Sequence, residues 1–117
     1  MATTYKGSCH CGAFQFEVTG DLTEVTECNC SICGKSGYLH WYVKPEQVRL
    51  LTQKRMLSTY MWRAMTGGHH FCPTCGVPVV RMTVQYGLPL SINARCLEGV
   101  DFTQVRIKHY DGKNLIP

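Results

Sequence analysis

Seven of the eight cysteines fall into three tight clusters: Cys9 and Cys11 in "GSCHCGA", Cys28, Cys30 and Cys33 in "CNCSIC", and Cys72 and Cys75 in "FCPTCG". Only Cys96 stands alone. Sulfurs this close along the chain converge on a point, whereas disulfide frameworks rarely cluster so tightly, so metal binding is the expectation. Each cluster also ends in Cys-Gly, at Gly12, Gly34 and Gly76. Glycine tolerates the positive φ that turns backbone amides back toward bound sulfur, where they disperse thiolate charge.

The number of sulfurs per cluster then divides the work. A structural zinc is closed by four ligands, and the Cys9, Cys11 pair and the Cys72, Cys75 pair together supply four. Such a site ties residue 9 to residue 75 and adds metal-coupled folding energy to a small core. Cys28, Cys30 and Cys33 are left with three, and three protein ligands plus one exchangeable position is the general form of a catalytic zinc site. The competing reading closes that position with Cys96 or with one of His10, His40, His69, His70 and His109, which makes both zincs structural. Cys96, in "NARCLEG", otherwise reads as a small buried hydrophobe. The "HH" at 69 and 70 stands directly before the third cluster, in a "GGHHF" that also reads as a solvated loop.

Around the clusters the chain reads as all-β. "FQFEV" (14–18) alternates apolar and polar residues, and "YLHWYV" (38–43) and "TYMWR" (59–63) are aromatic, strand-prone runs. "VVRMTV" (79–84), "LSINA" (90–94) and "VRIKHY" (105–110) continue the pattern, with "DG" at 111–112 as a turn. No segment holds a helical period, although "VKPEQV" and "GVDFTQ" each suit a single turn. With 117 residues, 44% of them hydrophobic, the expectation is one domain over 1–117, built as a sandwich or set of coiled sheets with the cysteines on connecting loops. No apolar run approaches the roughly 20 residues of a membrane helix. "MATTYKGSCHCG" lacks the apolar stretch of a secretion signal, so a cytoplasmic location is expected.

Three thiolates carry more negative charge than zinc neutralises, which makes such a centre a weak activator of water. It suits an incoming thiol, whose pKa falls on binding and which keeps enough nucleophilicity to attack a carbon electrophile. The expected reaction makes or breaks a carbon–sulfur bond. Charge argues against nucleic acid: the formal +4 falls to roughly +1 once seven thiolates and two zinc ions are included, and phosphate binding scales with Lys and Arg contacts. The one basic cluster, "QKRM" (53–56), suits a solvated loop more than a binding patch. Lys35, Arg63, Arg81 and Arg95 are candidates to meet the carboxylates of a peptide thiol. Tyr38, Trp41, Tyr42 and Trp62 suit either a pocket wall or, as strand residues, the core.

The three motifs, in this order and at these intervals, resemble the glutathione-dependent formaldehyde-activating enzymes, grouped with centromere protein V as the GFA domain. "INARCLEGVD" followed by "YDG" is similar to that family's C-terminal portion. The resemblance implies coiled β-sheets, a structural zinc at Cys9, Cys11, Cys72 and Cys75, and a catalytic zinc at Cys28, Cys30 and Cys33. It also implies condensation of glutathione with formaldehyde to S-hydroxymethylglutathione, formally the reverse of a carbon–sulfur lyase. A non-enzymatic zinc module that binds a partner or acts as a chaperone is the reading from a different class.

Overall fold

The computed structural model of the chain describes residues 2–61, 67–83 and 87–115. Among these residues, ten strands form two sheets: β1 (Thr3–Ser8), β2 (Gln15–Gly20), β3 (Glu24–Cys28), β4 (Leu39–Tyr42), β5 (Val48–Leu50), β6 (Ser58–Tyr60), β7 (Gly67–Phe71), β8 (Pro78–Thr83), β9 (Pro89–Asn93) and β10 (Arg106–Tyr110). Two short helices accompany them, α1 (Ser31–Ser36) and α2 (Gly112–Leu115). The smaller sheet has the order β1-β2-β5 and the larger β10-β3-β4-β9-β8-β7-β6. Every pairing is antiparallel except β10 with β3, which is parallel and sets Tyr110 beside Cys28.

Alternation along the strands sorts the faces. Phe16 and Val18 of β2 are buried, as are Val25, Leu39, Trp41, Val80, Met82 and Ile92 of the larger sheet, and all belong to one apolar cluster between the sheets. Burial of each large side chain contributes about 1.5–3 kcal/mol. Trp41 adds an edge-to-face contact with Tyr5 at 5.8 Å. The opposite face of the larger sheet is polar: Tyr60, His69, Arg81, Ser91 and Tyr42 are successive cross-strand partners along one row. Cross-strand partners share a face, so this row lies on the side of His40 and, through its partner Thr26, of Cys28.

Most of the expected strands are found within a residue or two of their reading. Of "TYMWR" only the first residues lie in β6; Trp62, Arg63 and the Val84 that ends "VVRMTV" fall outside the described residues. "GGHHF" is strand β7 rather than a solvated loop, with His69 buried. The single turns in "VKPEQV" and "GVDFTQ" are 3-10 turns at Pro45–Gln47 and Phe102–Gln104. Trp41 and Tyr38 are buried, while Tyr42 is 59% exposed.

One close approach in the small sheet is worth a prediction. Gly7 faces Phe16 across β1 and β2, and a Cβ added there would run into the Phe16 ring. That ring is 1% exposed and has nowhere to move. Gly7→Ala is therefore expected to cost about 1–3 kcal/mol, as overpacking does, read as a lower midpoint in thermal unfolding.

Candidate metal centres

The first centre is built by two similar turns. Between β1 and β2 the chain reverses at Cys9, whose amide donates to the Phe14 carbonyl, while the Phe14 amide donates to Cys9 Sγ at 3.3 Å. Between β7 and β8, the amide of Cys72 donates to Val77 O and that of Gly76 to Cys72 O. Gly12 and Gly76 take φ of 79° and 80°, the left-handed region expected after these clusters. Cys11 Sγ then lies 3.6 Å from Cys9 Sγ and 3.7 Å from Cys72 Sγ. A tetrahedral ion with bonds near 2.3 Å spaces its sulfurs about 3.8 Å apart, so this set has the dimensions of a zinc site. All eight cysteines are free thiols. The Val77 amide, with that of Cys11, pulls the Cys75 thiol down to about 6.

The second centre joins a strand end to a helix start. Cys28 closes β3, Cys30 is the N-cap of α1, and Cys33 lies in its first turn. The Cys33 amide donates to Cys30 Sγ at 3.5 Å, so sulfur replaces the usual capping oxygen and brings the two side chains together. The Cys-Gly of this cluster departs from expectation: Gly34 sits inside α1, donating to Cys30 O, and the left-handed residue is Gly37, at the helix end, with φ 71°. Asn29 is held from the far side by its amide to Tyr110 O, its side chain to Asp111 Oδ1, and the Lys113 amide to its Oδ1.

The four sulfurs of the first set, and the three of the second, each lie within 4.8 Å of one another, and no further ligating side chain joins either group among the described residues. The residues outside that description include no Cys, His, Asp or Glu. The second set is buried, at 6%, 3% and 6% exposure. Burial pushes the thiols of Cys28 and Cys33 up, whereas at Cys30 it is outweighed by the Cys33 amide and the neighbouring sulfurs. Three buried thiols side by side give up their protons together only to a cation among them, and a soft metal ion is the cation that suits an all-sulfur donor set.

The other candidates fall outside these groups. Cys96 Sγ donates to Pro78 O at 3.5 Å and packs against the main core, where burial pushes its thiol up to about 12. His10 is exposed, and His109 Nδ1 lies 3.4 Å from Glu27 Oε1 on the surface. His69 is buried on β7 and His70 Nδ1 meets Thr59 Oγ1 at 2.9 Å. His40 reaches the centre from beside it: Nε2 is 3.2 Å from Cys33 Sγ and Nδ1 is 3.1 Å from Ser91 Oγ. Burial pulls its imidazole down to about 4.

Two cavities flank α1, each of about 280 Å³. One is lined by Cys28, Cys33, Glu27 and Arg95, the other by Ile32, Ser36, Tyr60, His69 and Phe71. Arg95 follows β9, donates its Nε–H to Gly37 O at 3.2 Å, and lies over the Phe102 ring. Lys35, the cation nearest the cluster in sequence, is exposed on α1 and lines neither cavity. Arg81 is on the polar sheet face, and Arg63 is outside the described residues. Ser91 carried no signal of its own; the one available hint was the spacing of Tyr38, His40 and Tyr42, which puts the rings of two β4 residues and of the residue before the strand side by side.

A two-sheet β-protein with one four-cysteine and one three-cysteine centre is thus defined. The chain belongs to the family of the glutathione-dependent formaldehyde-activating enzyme, whose sequence profile matches residues 4–110. A crystal structure of a Rhodobacter sphaeroides protein is similar to it, with a TM-score of 0.72 and 28% identity over 88% of this chain and 99% of that one. No described helix is long and apolar enough to cross a membrane.

Proposed function

We propose that the chain is a zinc-dependent enzyme of carbon–sulfur bond chemistry that joins a thiol such as glutathione to an aldehyde, formaldehyde being the family's electrophile. Cys9, Cys11, Cys72 and Cys75 hold a structural zinc, and Cys28, Cys30 and Cys33 hold a catalytic one. The observation that carries this reading is the buried set of three sulfurs with, among the described residues, no fourth ligating side chain within 4.8 Å of all of them. Zinc there supplies a lowered thiol pKa at the exchangeable position. The protein's part is to keep that position dry, to present it to the cavity between Cys28, Cys33 and Arg95, and to orient the thiol. In the reaction the sulfur lone pair forms the S–C bond, the carbonyl π pair moves to oxygen, and that oxygen takes up the proton the thiol gave up. The product is a hemithioacetal.

Two measurements test this together. Native metal analysis should find two zinc ions per chain, and glutathione should perturb the visible spectrum of protein carrying cobalt at the Cys28, Cys30, Cys33 centre. A thiol-inert spectrum favours the non-enzymatic module. Arg95 supplies a finer check, because its guanidinium is the cation lining the cavity beside Cys28 and Cys33. Arg95→Ala is expected to raise the KM for glutathione about 10-fold, in the range of a lost charge-assisted hydrogen bond. Binding of 2-mercaptoethanol, which has no carboxylate, should be unchanged.

A further inference from the structure

Cys33 is singled out among the three sulfurs by a buried polar chain that ends on it. Tyr38 OH lies 3.0 Å from Ser91 O and 3.3 Å from Ser91 Oγ; Ser91 Oγ lies 3.1 Å from His40 Nδ1; His40 Nε2 lies 3.2 Å from Cys33 Sγ. Tyr38, His40 and Ser91 are 2%, 3% and 0% exposed. The stacked ring of Tyr42, 5.5 Å away and 8° from parallel, covers the imidazole. Such buried groups need partners, and here each is provided for.

The direction of the chain follows from what each atom can do. A thiolate that holds a metal only accepts, so the imidazole nitrogen facing it carries the hydrogen. Nδ1 is then the acceptor and takes the Ser91 hydroxyl hydrogen. The phenol hydrogen of Tyr38 goes to the nearer oxygen, the Ser91 carbonyl. Every hydrogen points toward the metal side of its bond from Ser91 onward.

We infer that His40, held by Ser91, is a positioning residue that donates an N–H···S hydrogen bond to Cys33 and so sets the strength of the second metal centre. The inference rests on reading Cys28, Cys30 and Cys33 as that centre. Three thiolates on a divalent ion leave a net charge of −1 in a buried site, and outside donors disperse it. Cys30 has a backbone donor, the Cys33 amide. Cys33, in α1, takes its donor from a side chain of β4, which is open to substitution.

The test compares His40→Phe, His40→Gln and Ser91→Ala in the full chain. Phe removes the donor and keeps the volume, whereas the Gln amide can place an N–H near the position of Nε2. Zinc affinity at the second centre, read by chelator competition, is expected to fall about 10- to 100-fold in His40→Phe. The sulfur-to-cobalt charge-transfer bands should move to lower energy, because a sulfur without its hydrogen bond gives up electrons more easily. His40→Gln should recover most of both effects, and Ser91→Ala should shift them part of the way in the direction of Phe. A purely structural role would not follow the donor. The inference is overturned if His40→Phe matches wild type in affinity and spectrum, or if His40→Gln is no better than Phe. Where His40→Phe does not fold, Ser91→Ala decides: an unchanged spectrum overturns the inference and a shifted one upholds it. A wild-type protein that takes up a single metal ion instead refutes the second centre itself.

Discussion

Cys72→Ser is expected to unfold the protein under conditions where the wild type is stable. Cys72 is fully buried and its sulfur is 3.7 Å from that of Cys11, across a closure of more than sixty residues. Structural zinc contributes about 10–16 kcal/mol in small zinc domains, against a total stability of about 5–15 kcal/mol for a typical domain. Losing one of four sulfur ligands removes a share of that comparable to most of the margin, and the turn that carries Gly76 loses its anchor. Circular dichroism at room temperature and the metal content of the purified variant measure the outcome. A folded Cys72→Ser protein with unaltered thermal stability would show that the first centre is not a staple.

Cys30→Ser is expected to do the opposite: leave the fold intact and abolish hemithioacetal formation above the uncatalysed rate. Cys30 is the N-cap of α1, and serine is among the preferred capping residues, so the Cys33 amide keeps an acceptor and the helix keeps its start. What is lost is one of three thiolates, and with it the soft, electron-rich donor set that favours an incoming thiol. The variant should contain one zinc ion, unfold close to the wild-type midpoint, and give no glutathione-dependent change in the cobalt spectrum. If Cys30→Ser and Cys72→Ser lose folding equally, the division between a structural and a catalytic centre is wrong.

The cysteine spacing made the two sets of sulfurs legible from the chain alone, because local turns place CxC and CxxC sulfurs together with little help from the rest of the fold. The strand carried by a period-two run was legible for the same reason: FQFEV declares its faces residue by residue, with Phe16 and Val18 turned inward. β7 was not, since a strand that begins Gly-Gly and continues His-His has neither an apolar face nor a β-branched residue. It is a strand because β6 and β8 pair with it on either side. α1 was hidden because six residues are too few for a helical period and its cap is a sulfur. Arg95 and Ser91 could not be placed beside the second centre from sequence. Their positions depend on β9 lying next to β4, a pairing of residues about fifty apart.

The parallel pairing of β10 with β3 has a consequence in time. The last cysteine of the four-cysteine centre is residue 75, whereas the three-cysteine centre leans on Tyr110, Asp111 and Lys113 through Asn29. A ribosome adds about 5–20 residues per second, so the second centre gains its support seconds after the first can close. Metal uptake during synthesis is therefore expected to be ordered, staple first. Nascent chains stalled shortly after β7 and β8 emerge should carry one zinc ion, and chains released after β10 should carry two. Stalled chains already holding both would mean that the support from β10 is dispensable for loading.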